Sequence, residues 1–254
     1  SLQHVTHDPS AVMAQCARFV GGGRWLPQQV NFHELTGAGA SPLVNDLRWC
    51  KEVLVQRMRG SNWLANCQID AFMLSMLPLC EDAVVCGDAA GMVALSPGRA
   101  KIVMPSGLST FLKEPLTHAS AKRYADPRFA AGFAAAASVF HIYHSGGNHW
   151  VLIMVDILRG VASVIDSLKP HSESEPATLM LQFLAAITGD ESFLSFPIVA
   201  TPNFPRQRDG SACGVFACVT LLHLLRDAKI HFTQESIPRW RTFRAQAITA
   251  RWLA

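Results

Sequence analysis

Four residues of this chain combine side-chain types and local settings that can support thiol chemistry: Cys213, His149, Asp166 and Gln207. Cys213 follows the loop string Gln207-Arg208-Asp209-Gly210-Ser211-Ala212 and opens a hydrophobic run that reads as a helix. At a helix N-terminus the outward N–H groups and the dipole favour negative charge, and therefore a thiolate. Gly210 is expected to let the backbone turn sharply, and Gly214 to keep the approach to the sulfur open. Taken alone, a free cysteine is more often a small buried residue, as Cys218 is expected to be.

His149 follows a Gly146-Gly147-Asn148 turn and immediately precedes an apolar run, so it is expected at the mouth of a strand. An imidazole there can take the proton of a nearby thiol and give a thiolate–imidazolium pair. Asp166 ends the next strand-like run. In a hairpin the end of the second strand lies beside the start of the first, so its carboxylate can accept the histidine's other N–H and fix the ring. Asp156, toward the opposite end of the first strand, ranks well below it. Gln207, six residues before Cys213, can donate its side-chain amide to a developing oxyanion, with the Cys213 N–H as second donor. Each has a bland counterpart: a surface turn histidine, a strand-end aspartate, a solvated loop glutamine.

The elements that must hold these groups follow from periodicity and breakers. Asp8-Pro9 and Gly21-Gly22-Gly23 bracket one helix, and a second is predicted at 45–59. A third covers 61–77, ended by Pro78. The stretch 78–127 is mixed, with a short strand at 101–104 and a short helix at 108–113. Helix is predicted at 127–137, strands at 138–144, 150–157 and 161–165, with Arg159-Gly160 as the turn of a hairpin. A helix at 175–188, a strand at 197–200 and a helix at 213–226 complete the set, with a last helix at 234–252 interrupted near Pro238. The order suits an α+β fold with a mainly antiparallel central sheet flanked by helices. Residues 1–60 are expected to form a helical extension packed on a 61–254 catalytic domain, whose variable insertion lies around 78–127.

Composition narrows the alternatives. Apolar residues make up 50% of the 254 residues and charged residues 16%, enough apolar material for a sizeable core. The net charge of +3 gives no strong field toward nucleic acid or membranes. No run reads as a membrane span. The seven cysteines are odd in number and include no C-x-x-C pair, which disfavours a disulfide framework or a structural zinc site. An intracellular reducing compartment is the expected location: cytoplasm or nucleus, including that of a host cell after secretion. His141 and His144 fall on opposite faces of a strand, so they are not read as a metal pair. From Arg226 onward there are six bases (Arg226, Lys229, Arg239, Arg241, Arg244, Arg251) and two acids (Asp227, Glu235); a solvated helix face accounts for them, with contact to an acidic partner or membrane surface as the sharper alternative.

The ordered strings His149-Trp150, Asp166-Ser167-Leu168 and Pro205-x-Gln207-x-Asp209-Gly210-x-x-Cys213-Gly214 resemble the Ulp1-type cysteine peptidases. Those are the SUMO and NEDD8 proteases, adenoviral proteinase relatives and many bacterial effectors. The spacings agree, and Asn62-Trp63-Leu64-Ala65-Asn66 is similar to the family's Trp-Leu-Asn-Asp helix start. The likeness spans roughly residues 61–226. It implies a papain-like, adenain-type fold, a Cys213–His149–Asp166 triad with Gln207 at the oxyanion, and no metal or organic cofactor. It implies further that Trp63 and Trp150 wall a tunnel admitting only glycine, with Asn66 and Gly214 also lining the substrate site. The implied reaction is cleavage after the C-terminal Gly-Gly of a ubiquitin-like modifier (SUMO, ubiquitin or NEDD8). Two departures, Asn66 for the family's aspartate and Ala212 where cellular members usually carry aspartate, bear on which modifier is bound and fit a divergent member such as a bacterial effector. Two other readings compete: an acetyltransferase effector using the same triad with acetyl-CoA, and a non-catalytic binder that keeps the fold.

Overall fold

The computed structural model describes residues 63–77, 80, 82–86, 92, 97–112, 124, 126–146, 149–169, 174–201 and 204–252. The helices predicted within 1–60, Asn62, Pro78 and much of the 78–127 segment lie outside the described residues. In chain order the elements are α1 (Asn66–Met76), β1 (Ala83–Val85), β2 (Lys101–Met104), α2 (Leu108–Leu112), α3 (Pro127–Ala135), β3 (Ser138–His144), β4 (Trp150–Asp156), β5 (Val161–Ile165), α4 (Glu175–Thr188), β6 (Ile198–Ala200), α5 (Cys213–Leu225) and α6 (Ile237–Trp252). The chain divides into two compact units. One is Asp82–Phe204; the other joins Ser1–Glu81 to Pro205–Ala254. Among the described residues no helix is long and apolar enough to cross a membrane.

The Asp82–Phe204 unit is a six-stranded sheet in the order β1-β2-β3-β4-β5-β6. The α+β class holds. Antiparallel pairing is confined to the central strands β3, β4 and β5. The pairs β1–β2, β2–β3 and β5–β6 are parallel, so the sheet as a whole is mixed. β4, read from its unbroken apolar run, is the buried strand it should be between two partners. Its turn into β5 uses Gly160 at φ +64, a conformation that side-chain-bearing residues rarely adopt. One face of the sheet is covered by α3 and α4. Phe183 of α4 sits at the centre of the aromatic contact there, edge-on to Tyr124 at 5.1 Å and to Phe133 of α3 at 6.3 Å.

Local rules explain most element ends. Asp126 caps α3, accepting the Arg128 N–H at 2.9 Å with Pro127 in the first turn. α4 stops at Gly189, φ +71, whose N–H returns to Ala185 O at 2.9 Å. The predicted 127–137 helix ends two residues early for a non-local reason: the Ala137 N–H bonds to Ala100 O at 2.8 Å, drawing the chain into the sheet. His141 is fully buried in mid-β3, its Nε2 3.1 Å from Ser109 Oγ, and burial pushes its pKa down to about 3. His144 is half-buried and its ring packs at a tilt against that of Trp150 across the β3–β4 pair.

In the other unit, α1, α5 and α6 pack together around Phe72, Phe216, Phe232 and Trp240. α1 begins at Asn66 and not at 61–62, because Ala65 is extended (φ −90, ψ 169) and its N–H is taken by the Gln68 side chain at 2.5 Å. Pro238 does not interrupt the last helix. A 3-10 turn, Gln234–Ser236, leads into α6, and Pro238 occupies its first turn, where no N–H is needed. The basic tail is not simply a solvated face, since Arg241 is buried. Truncating Phe183 leaves a cavity where three aromatic rings meet. Phe183→Ala is expected to lower unfolding free energy by about 3–5 kcal/mol, seen as a lower midpoint in urea titration.

Candidate active site

In the Asp82–Phe204 unit, His149 stands one residue before β4, at the end of the turn from β3. That turn is closed by the Ser145 N–H on His149 O at 3.0 Å, and Gly146 supplies the positive φ of +83 it requires. The β4–β5 register pairs Leu152 with Ile165, so the next residue, Asp166, falls beside the start of β4. His149 Nε2 and Asp166 Oδ1 are 2.9 Å apart. A carboxylate only accepts, so Nε2 carries the proton of this bond and the lone pair of the neutral ring resides on Nδ1. The His149 side chain is 17% exposed and that of Asp166 only 3%.

The same carboxylate oxygen accepts the backbone N–H groups of Leu168 at 2.7 Å and Lys169 at 3.1 Å. Burial of Asp166 raises its pKa, but the His149 bond and the two backbone N–H bonds outweigh that and hold it below the usual carboxylate value. Asp156, the competing carboxylate, is used elsewhere. It accepts the Arg159 N–H at 3.1 Å in the β4–β5 turn.

In the other unit, Cys213 is the first residue of α5 and is 1% exposed. The loop before it is organised by Asp209, a residue whose part was not foreseen. Asp209 Oδ1 accepts the N–H groups of Ser211 at 3.0 Å and Ala212 at 2.8 Å, and its carbonyl accepts Gln207 Nε2 at 2.6 Å. The signal was present: an Asp-Gly pair shortly before a helix marks an Asx turn. Gly210 plays less of a part than expected. Its φ is not in the left-handed region and the space around it is open, so the turn belongs to Asp209.

Of the residues predicted to act together, His149 and Asp166 are thus bonded directly, and Gln207 is joined to the Cys213 loop through Asp209. Of the substrate-site residues, Trp63 is 40% exposed, whereas Trp150 is 2% exposed with its ring 4.6 Å from that of His144. Asn66 is half-buried at the start of α1, and Gly214 is buried in the first turn of α5. Among the described residues no group of three or more His, Cys, Asp or Glu is placed to hold a metal ion.

An imidazole tethered by a buried carboxylate on a sheet, with a cysteine opening a buried helix, defines the class: a cysteine peptidase of α+β fold. Residues 113–252 match the Ulp1 protease family, C-terminal catalytic domain, and the chain belongs to that family. The matched stretch contains His149, Asp166, Gln207 and Cys213 and begins after Trp63. Among curated proteins the chain is similar to sentrin-specific protease 2 of Pongo abelii, 28% identical over 102 residues, and to that of Homo sapiens, 29% identical over 102 residues. These alignments take in 37% of this chain and 17% of each relative. The fold resembles the C-terminal Ulp1 protease domain solved in complex with Smt3, the yeast ortholog of SUMO. That match has a TM-score of 0.62 and 17% identity, covering 80% of this chain and 83% of that one. It also resembles the Ulp1-like SUMO protease catalytic domain of Chaetomium thermophilum, with a TM-score of 0.55 and 17% identity over 75% of this chain and 74% of that one.

Because the pKa of Asp166 is lower folded than unfolded, the unfolded chain binds more protons in the acid range. The stability contributed by Asp166 is complete above its ordinary value of 3.8 and is lost as pH falls through the depressed value. Urea titrations between about pH 5 and 2 should show a steeper loss of stability for the wild-type protein than for Asp166→Asn, which has no such proton to take up.

Proposed function

We propose that the chain is a thiol isopeptidase that removes a ubiquitin-like modifier by cutting after its C-terminal Gly-Gly. The observation that carries this reading is the 2.9 Å bond between His149 Nε2 and Asp166. It fixes the ring and leaves Nδ1 as the base, the setting a thiol nucleophile requires.

His149 takes the thiol proton, and the thiolate attacks the carbonyl carbon of the modifier's terminal glycine. The negative charge that develops on the carbonyl oxygen is met by the Gln207 amide and the Cys213 N–H. Collapse breaks the C–N bond, and the lysine amine leaves with the proton from His149. Water, deprotonated by His149, then attacks the thioester and releases the glycine carboxylate and the thiol. Every proton transfer in this sequence is served by a protein side chain. Trp63 and Trp150 would flank the Gly-Gly tail, where the lack of Cβ atoms lets it pass between two indoles.

A modifier of the SUMO type is favoured by the sentrin-specific relatives and by the Ulp1 domain solved with Smt3. Asn66 and Ala212, which depart from the family strings, are the positions where that preference can shift toward ubiquitin or NEDD8.

The test is a panel of SUMO, ubiquitin and NEDD8 bearing C-terminal electrophiles. One modifier should form a covalent adduct with the wild-type protein and none with Cys213→Ala. Gln207→Ala should lower kcat on the matching substrate by about 10²–10³. A protein that reacts with no modifier but becomes acetylated at a cysteine by acetyl-CoA would refute the peptidase reading.

A further inference from the structure

The loop that delivers Cys213 is held from the far end of its own unit. Gln234, in the 3-10 turn ahead of α6, reaches two consecutive residues of that loop with one side-chain amide. Its Oε1 accepts the backbone N–H of Arg208 at 2.8 Å, and its Nε2 donates to Asp209 Oδ2 at 2.6 Å. A planar amide bonded at both ends fixes the rotation of what it holds as well as its position. Asp209 passes that constraint on. Its other oxygen accepts the Ser211 and Ala212 N–H groups, and its carbonyl accepts Gln207 Nε2 at 2.6 Å. Further along, the buried Arg241 of α6 donates Nη2 to Ser211 O at 3.3 Å.

The loop from 207 to 212 is thus tied at Arg208, Asp209 and Ser211 to one C-terminal segment. The neighbouring Arg208–Glu235 ion pair is a weak candidate for this work, because its side chains are 76% and 64% exposed and solvent screens them. Gln234 is half-buried and uncharged, so it brings no charge of its own for salt to screen.

We propose that Gln234 is a positioning residue for peptide-bond cleavage: by clasping Arg208 and Asp209 it aims the Gln207 amide, and the peptide N–H of Cys213, at the oxyanion. The proposal rests on the thiol-peptidase reading above. An amide NH2 has two donors; with one directed at Asp209 O, the direction of the other is set by where Asp209 sits. Donors to a developing oxyanion act only when held in place beforehand. Release of the clasp therefore lowers turnover while leaving substrate affinity and the sulfur's own reactivity unchanged.

The experiment uses the full chain and the modifier it processes best, carrying a C-terminal fluorogenic amide. Gln234→Met removes both bonds at similar length. It should lower kcat about tenfold with KM unchanged. Alkylation of Cys213 by iodoacetamide should proceed at the wild-type rate, because the thiolate displaces iodide and no oxyanion forms. Gln234→Glu keeps the acceptor for Arg208 but sets a carboxylate against Asp209, and should also lose kcat. Asp209→Asn alone should lose it in the same way. Combined, Gln234→Glu with Asp209→Asn restores a donor facing an acceptor, and kcat should return toward the wild-type value, a coupling that independent effects would not give.

Unchanged kcat in Gln234→Met overturns the proposal while leaving the peptidase reading intact. So does a fall in kcat matched by slower alkylation and a lower thermal midpoint, which would make Gln234 a structural support only. A wild-type protein that turns over no modifier overturns both.

Discussion

One carboxylate oxygen governs the histidine half of the site. Oδ1 of Asp166 accepts three hydrogens, from His149 Nε2 and from the N–H groups of Leu168 and Lys169. The two backbone bonds close the loop that follows β5, and so the oxygen is fixed before the imidazole reaches it. A buried carboxylate without such donors would be driven to protonate, and a protonated aspartate would hold the ring with a neutral bond in place of a charged one. The antiparallel pairing of β4 with β5 is what places this oxygen beside His149. The tether therefore depends on the register of the sheet, and the register depends on the buried apolar faces of both strands.

The cysteine half repeats the device in a different setting. Asp209 Oδ1 accepts the N–H groups two and three residues ahead of it, as Asp166 Oδ1 does. In one place the turn ends a strand and presents a tether for a histidine. In the other it begins a helix and presents a thiol. In both, a short acidic side chain folded onto its own backbone converts a loop into a rigid mount.

Much of this was legible in the chain itself, for reasons that can be named. β3 and β5 lie on the predicted residues because Ser138–His144 and Val161–Ile165 are bounded by turn residues and rich in β-branched or aromatic side chains. The His149–Asp166 pairing followed from hairpin geometry alone. What sequence could not carry was non-local. The alanines before β3 favour helix, and only the bond from Ala137 to Ala100 ends it. β1 is three residues long and is a strand only because β2 lies beside it. Asp209 was visible as a turn residue, but its link to Gln234 spans 25 positions, and no local pattern announces such a bond.

The split of the nucleophile's unit into two stretches of chain has a consequence for synthesis. α1 leaves the ribosome before the sheet, carrying the apolar side chains of Leu64, Ile69 and Phe72 that are buried once α5 and α6 are in place. The whole of the sheet is made next and can fold as a unit while α1 waits. Only when the stretch from Pro205 onward emerges can α5 seat Cys213 in its finished surroundings. A nascent chain thus holds its tethered imidazole before it holds a mounted sulfur.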